Sequence, residues 1–160
     1  QILKLEWEIC SFLNIISDFS FNLSKIFFRL SNNFNKTIAD FIPEKNNIYG
    51  WDPFFNSKSE LNPESADLVL CLEVAEHFEN PIESFKNMAN VCSKNGIIAI
   101  GTLPINSNMV VPSDFENWWY KDDATHVSFY TEDSMKKCGS QADLEYLGMA
   151  SERIFMFKKN

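Results

Sequence analysis

Glycine is scarce in this chain: there are five in 160 residues, and the first is Gly50. No G-x-G-x-x-G occurs, which weighs against the dinucleotide-binding turn of a dehydrogenase. The four cysteines (Cys10, Cys71, Cys92 and Cys138) include no C-x-x-C pair, and no metal site is expected from them. Basic residues are outnumbered, 14 against 22 acids, for a net charge of −8. A large basic footprint for nucleic acid is thereby excluded. No stretch reaches the roughly 18 uninterrupted apolar residues of a membrane span. The start lacks the basic region and small-residue cleavage site of a signal peptide. Gln1 is not an initiator methionine, so a fragment or processed product is expected.

What is present is a 45% hydrophobic chain of the length of one domain with a sizeable core. Two cysteines fall inside apolar runs, as buried thiols of a reducing, cytoplasmic compartment would. Residues 1–24 read as a helical segment, with Ile9, Phe12, Leu13, Ile16 and Phe19 on one face. Residues 25–160 read as the domain proper. Ser24–Leu30 and Ile48–Trp51 are strand candidates, with a polar turn at Ser31–Asn35 and a short helix at Lys36–Phe41 between them.

The strongest signal is Asp67–Pro104. Asp67–Cys71 is a short apolar run, as for a parallel strand covered on both faces. Asn80-Pro81 then opens a helix, with Asn80 as cap and Glu83 three residues on. Ile82, Phe85, Met88, Ala89 and Cys92 follow at helical spacing, and Asn95-Gly96 is expected to stop the helix before a second apolar strand. This is one βαβ unit. Asn106–Thr131 is too long for an ordinary connection and is expected to pack over the sheet edge as a lid or insertion. Thr131 should cap a helix running to about Gln141, and Leu144–Met149 and Arg153–Lys158 have hairpin spacing. The order predicts an α/β doubly wound sheet, mostly parallel, closed by a C-terminal antiparallel hairpin.

In such sheets ligands bind outside the carboxyl ends of the strands. Asp52 follows the second strand, where an acid can accept hydrogen bonds from ribose hydroxyls; it can equally be a turn residue before Pro53. Glu73, Glu76 and His77 follow the next strand. His77 is a candidate base or a surface or capping residue, and Glu76 with His77 can simply be solvated. The run Phe115–Tyr130 holds six aromatic residues and the other histidine, His126. It reads as a substrate lid with His126 as general base, or as an aromatic plug with Asp123, Thr125 and His126 bonded to loop backbone, or as both.

The segment Asp67-Leu-Val-Leu-Cys-Leu-Glu-Val-Ala-Glu76-His77, with Asn80-Pro81, the helix and Lys94-Asn95-Gly96-Ile-Ile-Ala-Ile, resembles the centre of class I S-adenosylmethionine-dependent methyltransferases. Gly50-Trp51-Asp52-Pro53 resembles the end of that family's second strand. Trp118-Trp-Tyr and Asp122-Asp-Ala-Thr-His126-Val-Ser-Phe-Tyr130 resemble a bacterial subgroup of methyltransferase domains. The resemblance implies a Rossmann-like sheet, S-adenosylmethionine as cofactor, and a small-molecule or macromolecular methyl acceptor. It implies that Asp52 binds the ribose and that Leu72 and Glu73 wall the cofactor. Ser31, Asn33 and Asn35 stand where the family carries its glycine-rich cofactor loop. His126 and His77 are then the candidate bases for a hydroxyl acceptor. The alternative implied by a glycine-free loop is a non-catalytic relative acting as a binding or scaffold domain. The match begins abruptly near Lys36, as a shifted reading frame or a misplaced gene start upstream would produce.

Overall fold

The computed structural model describes residues 25–30, 47–50, 63–105, 109 and 112–160. The helices expected in residues 1–24 and at Lys36–Phe41 lie outside these, as do Ser31, Asn33, Asn35 and Asp52. The described elements are β1 (Lys25–Leu30), β2 (Asn47–Gly50), β3 (Ala66–Leu72), α1 (Pro81–Val91) and β4 (Cys92–Gly101), followed by α2 (Pro112–Glu116), α3 (Glu132–Gln141), β5 (Leu144–Ser151) and β6 (Ile154–Lys159). Single 3-10 turns cover Ala75–His77 and Trp119–Asp122.

The six strands form one sheet in the order β2-β1-β3-β4-β6-β5. β1 to β4 pair in parallel, while β6 runs antiparallel to β4 and carries β5 as its hairpin partner. The expected doubly wound sheet with a terminal hairpin is therefore the fold. β3 lies inside the sheet, and its residues are buried on both faces, from Val69 and Cys71 on one to Leu68, Leu70 and Leu72 on the other. This explains why it reads as a continuous apolar run rather than an alternation.

α1 opens as expected. Asn80 accepts a hydrogen bond from the Glu83 N–H at 3.3 Å, and Pro81 occupies the first position, where an N–H would find no helical partner. Its apolar stripe, Phe85, Met88 and Ala89, packs on Val69, Cys71, Ile98, Ile100, Phe155 and Phe157 in one core cluster. Full burial of Phe85 contributes about 2–3 kcal/mol. The stop at Asn95-Gly96 is corrected: α1 ends at Val91, and Cys92 is extended and belongs to β4 rather than to the helix face. The cause is tertiary. The Glu64 and Ser65 N–H groups donate to the Asn90 and Val91 carbonyls at 2.8 and 2.9 Å, so the helix end is satisfied without a glycine. Cys92 pairs with Ala66, and Ser93–Gly96 form an irregularity before regular pairing resumes at Leu68 and Ile97. Asn95 takes its positive φ of 63° there.

α3 starts on Thr131 with a reciprocal capping box: Ser134 N–H donates to Thr131 Oγ1 at 3.1 Å, and Thr131 N–H donates to Ser134 Oγ at 2.9 Å. Cys71, Cys92 and Cys138 are thiols. Among the described residues no helix is long and apolar enough to cross a membrane.

Candidate active site at the carboxyl edge of the sheet

β3 ends at Leu72, in register with Leu30 at the end of β1 and with Gly101 at the end of β4. Glu73 then turns the chain out of the sheet with a φ of 52°, its N–H held by the Gly101 carbonyl at 2.8 Å. A non-glycine residue in the left-handed region stores about 1 kcal/mol or more, and such positions cluster at functional sites. The 3-10 turn Ala75–His77 follows directly. It presents Glu76 inward and His77 outward.

The connection after β4 comes back over this turn. Val127 and Ser128 N–H groups donate to the Glu76 carbonyl at 2.8 and 2.9 Å. Ser128 Oγ donates to the Phe78 carbonyl at 2.6 Å, and Tyr130 Oη donates to the Ala75 carbonyl at 2.9 Å. Burial pushes the Tyr130 hydroxyl well above its ordinary range. Phe115, Trp118, Tyr120 and Phe129 stack edge-on or tilted at centroid distances of 5.3 to 6.4 Å. Tyr120 is buried, and its hydroxyl meets Thr102 Oγ1 at 3.1 Å and accepts from the Leu103 N–H at 3.4 Å. The described part of the connection is thus a docked aromatic plug.

The docking brings the two histidines together. Their ring centroids are 5.0 Å apart, although His77 lies 48 residues before Thr125, whose carbonyl anchors it. His77 Nδ1 lies 2.9 Å from the Thr125 carbonyl, and His126 Nδ1 lies 2.6 Å from the Tyr120 carbonyl. A carbonyl only accepts, so each Nδ1 must carry the proton. Each Nε2 then keeps its lone pair in the neutral ring. Both Nε2 atoms face Glu76 Oε1, at 3.9 Å from His77 and 4.0 Å from His126. The Glu76 side chain is 1% exposed, which corrects the reading of Glu76 as a solvated residue. Its Oε2 has no hydrogen-bond partner among the described residues. Asp123 Oδ2 lies 3.8 Å from His126 Nε2, while its Oδ1 accepts from Thr125 N–H and Oγ1 at 2.9 and 2.6 Å. Those two bonds hold the exposed Asp123 carboxyl below its ordinary range.

Of the residues singled out in the sequence, Leu72, Glu73, His77 and His126 therefore stand at the carboxyl edge. The sequence did not reveal that Glu76 is the point on which both histidines converge, nor that Tyr120 anchors the plug. The only linear trace of the convergence is a Glu-His pair after one strand and a lone histidine after the next.

A parallel sheet closed by an inserted antiparallel hairpin, with its polar cluster at the carboxyl edge, has the architecture of the class I methyltransferases. The chain belongs to the methyltransferase domain family, whose model matches residues 11–148. No curated protein matches the chain significantly. Among solved structures, it is similar to a proposed methyltransferase of Bacillus halodurans C-125 (22% identity, 76% of this chain and 54% of that one, TM-score 0.51). It is also similar to a proposed O-methyltransferase of Nostoc punctiforme PCC 73102 (14% identity, 98% and 56%, TM-score 0.62). A third likeness is to an S-adenosylmethionine-dependent methyltransferase of Thermotoga maritima (12% identity, 92% and 87%, TM-score 0.57). The chain spans about half the length of the first two proteins.

Proposed function

We propose that this chain binds S-adenosylmethionine at the carboxyl edge of β1–β3 and transfers its methyl group to an acceptor, in the first instance a small molecule. The observation that carries the reading is the register of Leu30 with Leu72. It brings the end of β1, after which Ser31–Asn35 follow in the sequence, to the sheet edge where β3 ends at Leu72 and Glu73 turns outward. The group fits that place as far as the described residues reach: an apolar wall at Leu72, then a carboxylate at the outward turn of Glu73. Asp52 would take the ribose hydroxyls, and Ser31, Asn33 and Asn35 the part of the cofactor that a glycine loop holds in relatives. Bound there, the cofactor supplies a methyl group on a sulfonium, which needs in-line positioning and exclusion of water more than a dedicated catalyst.

The chain's own contribution on the acceptor side is the plug and its two histidines. Where the acceptor is a hydroxyl, His77 Nε2 is the first candidate to receive the proton, being more exposed than His126 (35% against 9% of the side chain). A cytoplasmic setting fits the three thiols. The glycine-free stretch supports a second reading, a non-catalytic relative that keeps the fold as a scaffold.

Calorimetric titration with S-adenosylmethionine separates the two. The expected result is saturable heat, with Asp52→Ala weakening binding by about 1–3 kcal/mol through loss of charge-assisted hydrogen bonds. Absence of heat and of any thermal shift at millimolar ligand leaves the scaffold reading.

A further inference from the structure

We propose that Glu76, His77 and His126 form a binding site for a divalent first-row transition ion. Each residue offers one ligand atom, a ring nitrogen from each histidine and a carboxylate oxygen from Glu76, and the three atoms lie within 4.8 Å of one another. Two imidazoles and one carboxylate make a three-ligand set that leaves positions open for an exogenous oxygen, and its nitrogen content favours zinc, cobalt, iron(II) or manganese over calcium.

Three features distinguish the cluster from a chance grouping. Both Nδ1–H groups are tied to backbone carbonyls, which fixes the tautomer and leaves each Nε2 lone pair free, with Glu76 Oε1 3.9 and 4.0 Å from the two Nε2 atoms. The carboxylate they face is buried, and its second oxygen has no hydrogen-bond partner among the described residues. A buried carboxylate left in that condition is costly unless a cation completes it. The backbone is also set before any ion arrives, because the Val127 and Ser128 N–H groups clamp the His126 segment onto the Glu76 carbonyl. Bonds of about 2.0–2.2 Å around a tetrahedral ion place ligand atoms roughly 3.4 Å apart. The Glu76 separations of 3.9 and 4.0 Å thus require a contraction that side-chain rotation supplies.

The site goes beyond the proposed methyl transfer and does not depend on it. In the loaded protein the ligand role replaces the base role given above to His77. With three protein ligands, an ion held there would keep room for an oxygen-bearing ligand.

The test is a titration of the purified, chelator-treated chain with cobalt(II), read by visible absorption, and with zinc(II), read by calorimetry. One equivalent of cobalt should give ligand-field bands of a four- or five-coordinate nitrogen–oxygen site. His126→Gln and Glu76→Gln should weaken binding by more than about 100-fold, above the loss seen when only an outer-shell partner is removed. His77→Gln provides a variant at the most exposed of the three positions, and it should weaken binding to a similar degree. Failure to bind at millimolar metal, or binding that survives His77→Gln undiminished, overturns the proposal; the second outcome assigns the metal to surface carboxylates. S-adenosylmethionine titrations of the same preparations are read separately, so loss of one site is distinguished from loss of the other.

Discussion

The hydroxyl of Tyr120 joins the long connection to the end of β4. It accepts from Leu103 N–H and shares a hydrogen bond with Thr102 Oγ1 in which either hydroxyl can donate, and Thr102 is 1% exposed. Burial, and then the Glu76 and Glu73 carboxylates, push the Tyr120 hydroxyl far above its ordinary range, so it keeps its proton. Tyr120→Phe removes one oxygen and leaves two groups without it. Chemical denaturation should show a loss of about 1–3 kcal/mol. Thr102→Val in the same background should add little, because the two share one interaction. Full additivity of the two losses would mean that the 3.1 Å contact carries no energy. At this scale the sequence showed the right residues but not their partners. His77 and His126 were legible as titratable side chains near strand ends, whereas their convergence on Glu76 depends on a carbonyl clamp between segments some 50 residues apart, which no local pattern encodes. The acid at position 76 sat beside a histidine in a polar-looking connection, and nothing in its neighbours announced that it would be buried.

Elements were legible where local chemistry decides and misread where tertiary partners do. The start of α1 and the start of α3 follow from Asn80-Pro81 and Thr131, whose side chains act within three residues. The end of α1 does not follow from Asn95-Gly96, because two N–H groups from the turn before β3 terminate it first. α3 adds a case in which propensity and packing oppose each other. Gly139 lies within the helix, where alanine would ordinarily gain about 1 kcal/mol. A Cβ there would lie 2.4 Å from the Phe157 ring. That ring is fully buried and wedged between Phe85 and Tyr146 at centroid distances of 5.6 and 5.2 Å, so it has nowhere to move. Gly139→Ala should therefore destabilise by about 1–3 kcal/mol, as overpacking does. A gain in the urea midpoint would show that α3 can lift off β6 at little cost.

The sheet as a whole was legible in its parallel core, since apolar runs separated by a capped helix admit few arrangements. The hairpin was legible too, but not that its second strand would lie inside. β6 carries Ile154, Phe155 and Phe157 at or near zero exposure between β4 and β5, while β5 leaves Leu147 and Met149 on the surface. This dense interior has a consequence for the stability of the entire fold at alkaline pH. Burial pushes the Cys92 thiol from 9.0 up to about 12, against a partial opposing pull from the Lys159 ammonium. Below pH 9 both folded and unfolded chains hold that proton, and the group's contribution is constant. Between pH 9 and 12 the unfolded chain has released it and the folded chain has not, so stability falls as pH rises. Tyr146, raised by burial from 10.0 to about 12, acts in the same direction over the upper part of that window, as do the more deeply buried Tyr120 and Tyr130. Urea midpoints measured from pH 7 upward should decline from about pH 9, first through the thiol and then through the phenols. Cys92→Ala should flatten the decline between pH 9 and 10 while leaving the steeper phenolic limb in place. An identical slope in that variant would mean that Cys92 ionises in the folded state as readily as in the unfolded chain, and that the β3–β4 interior admits water at this point.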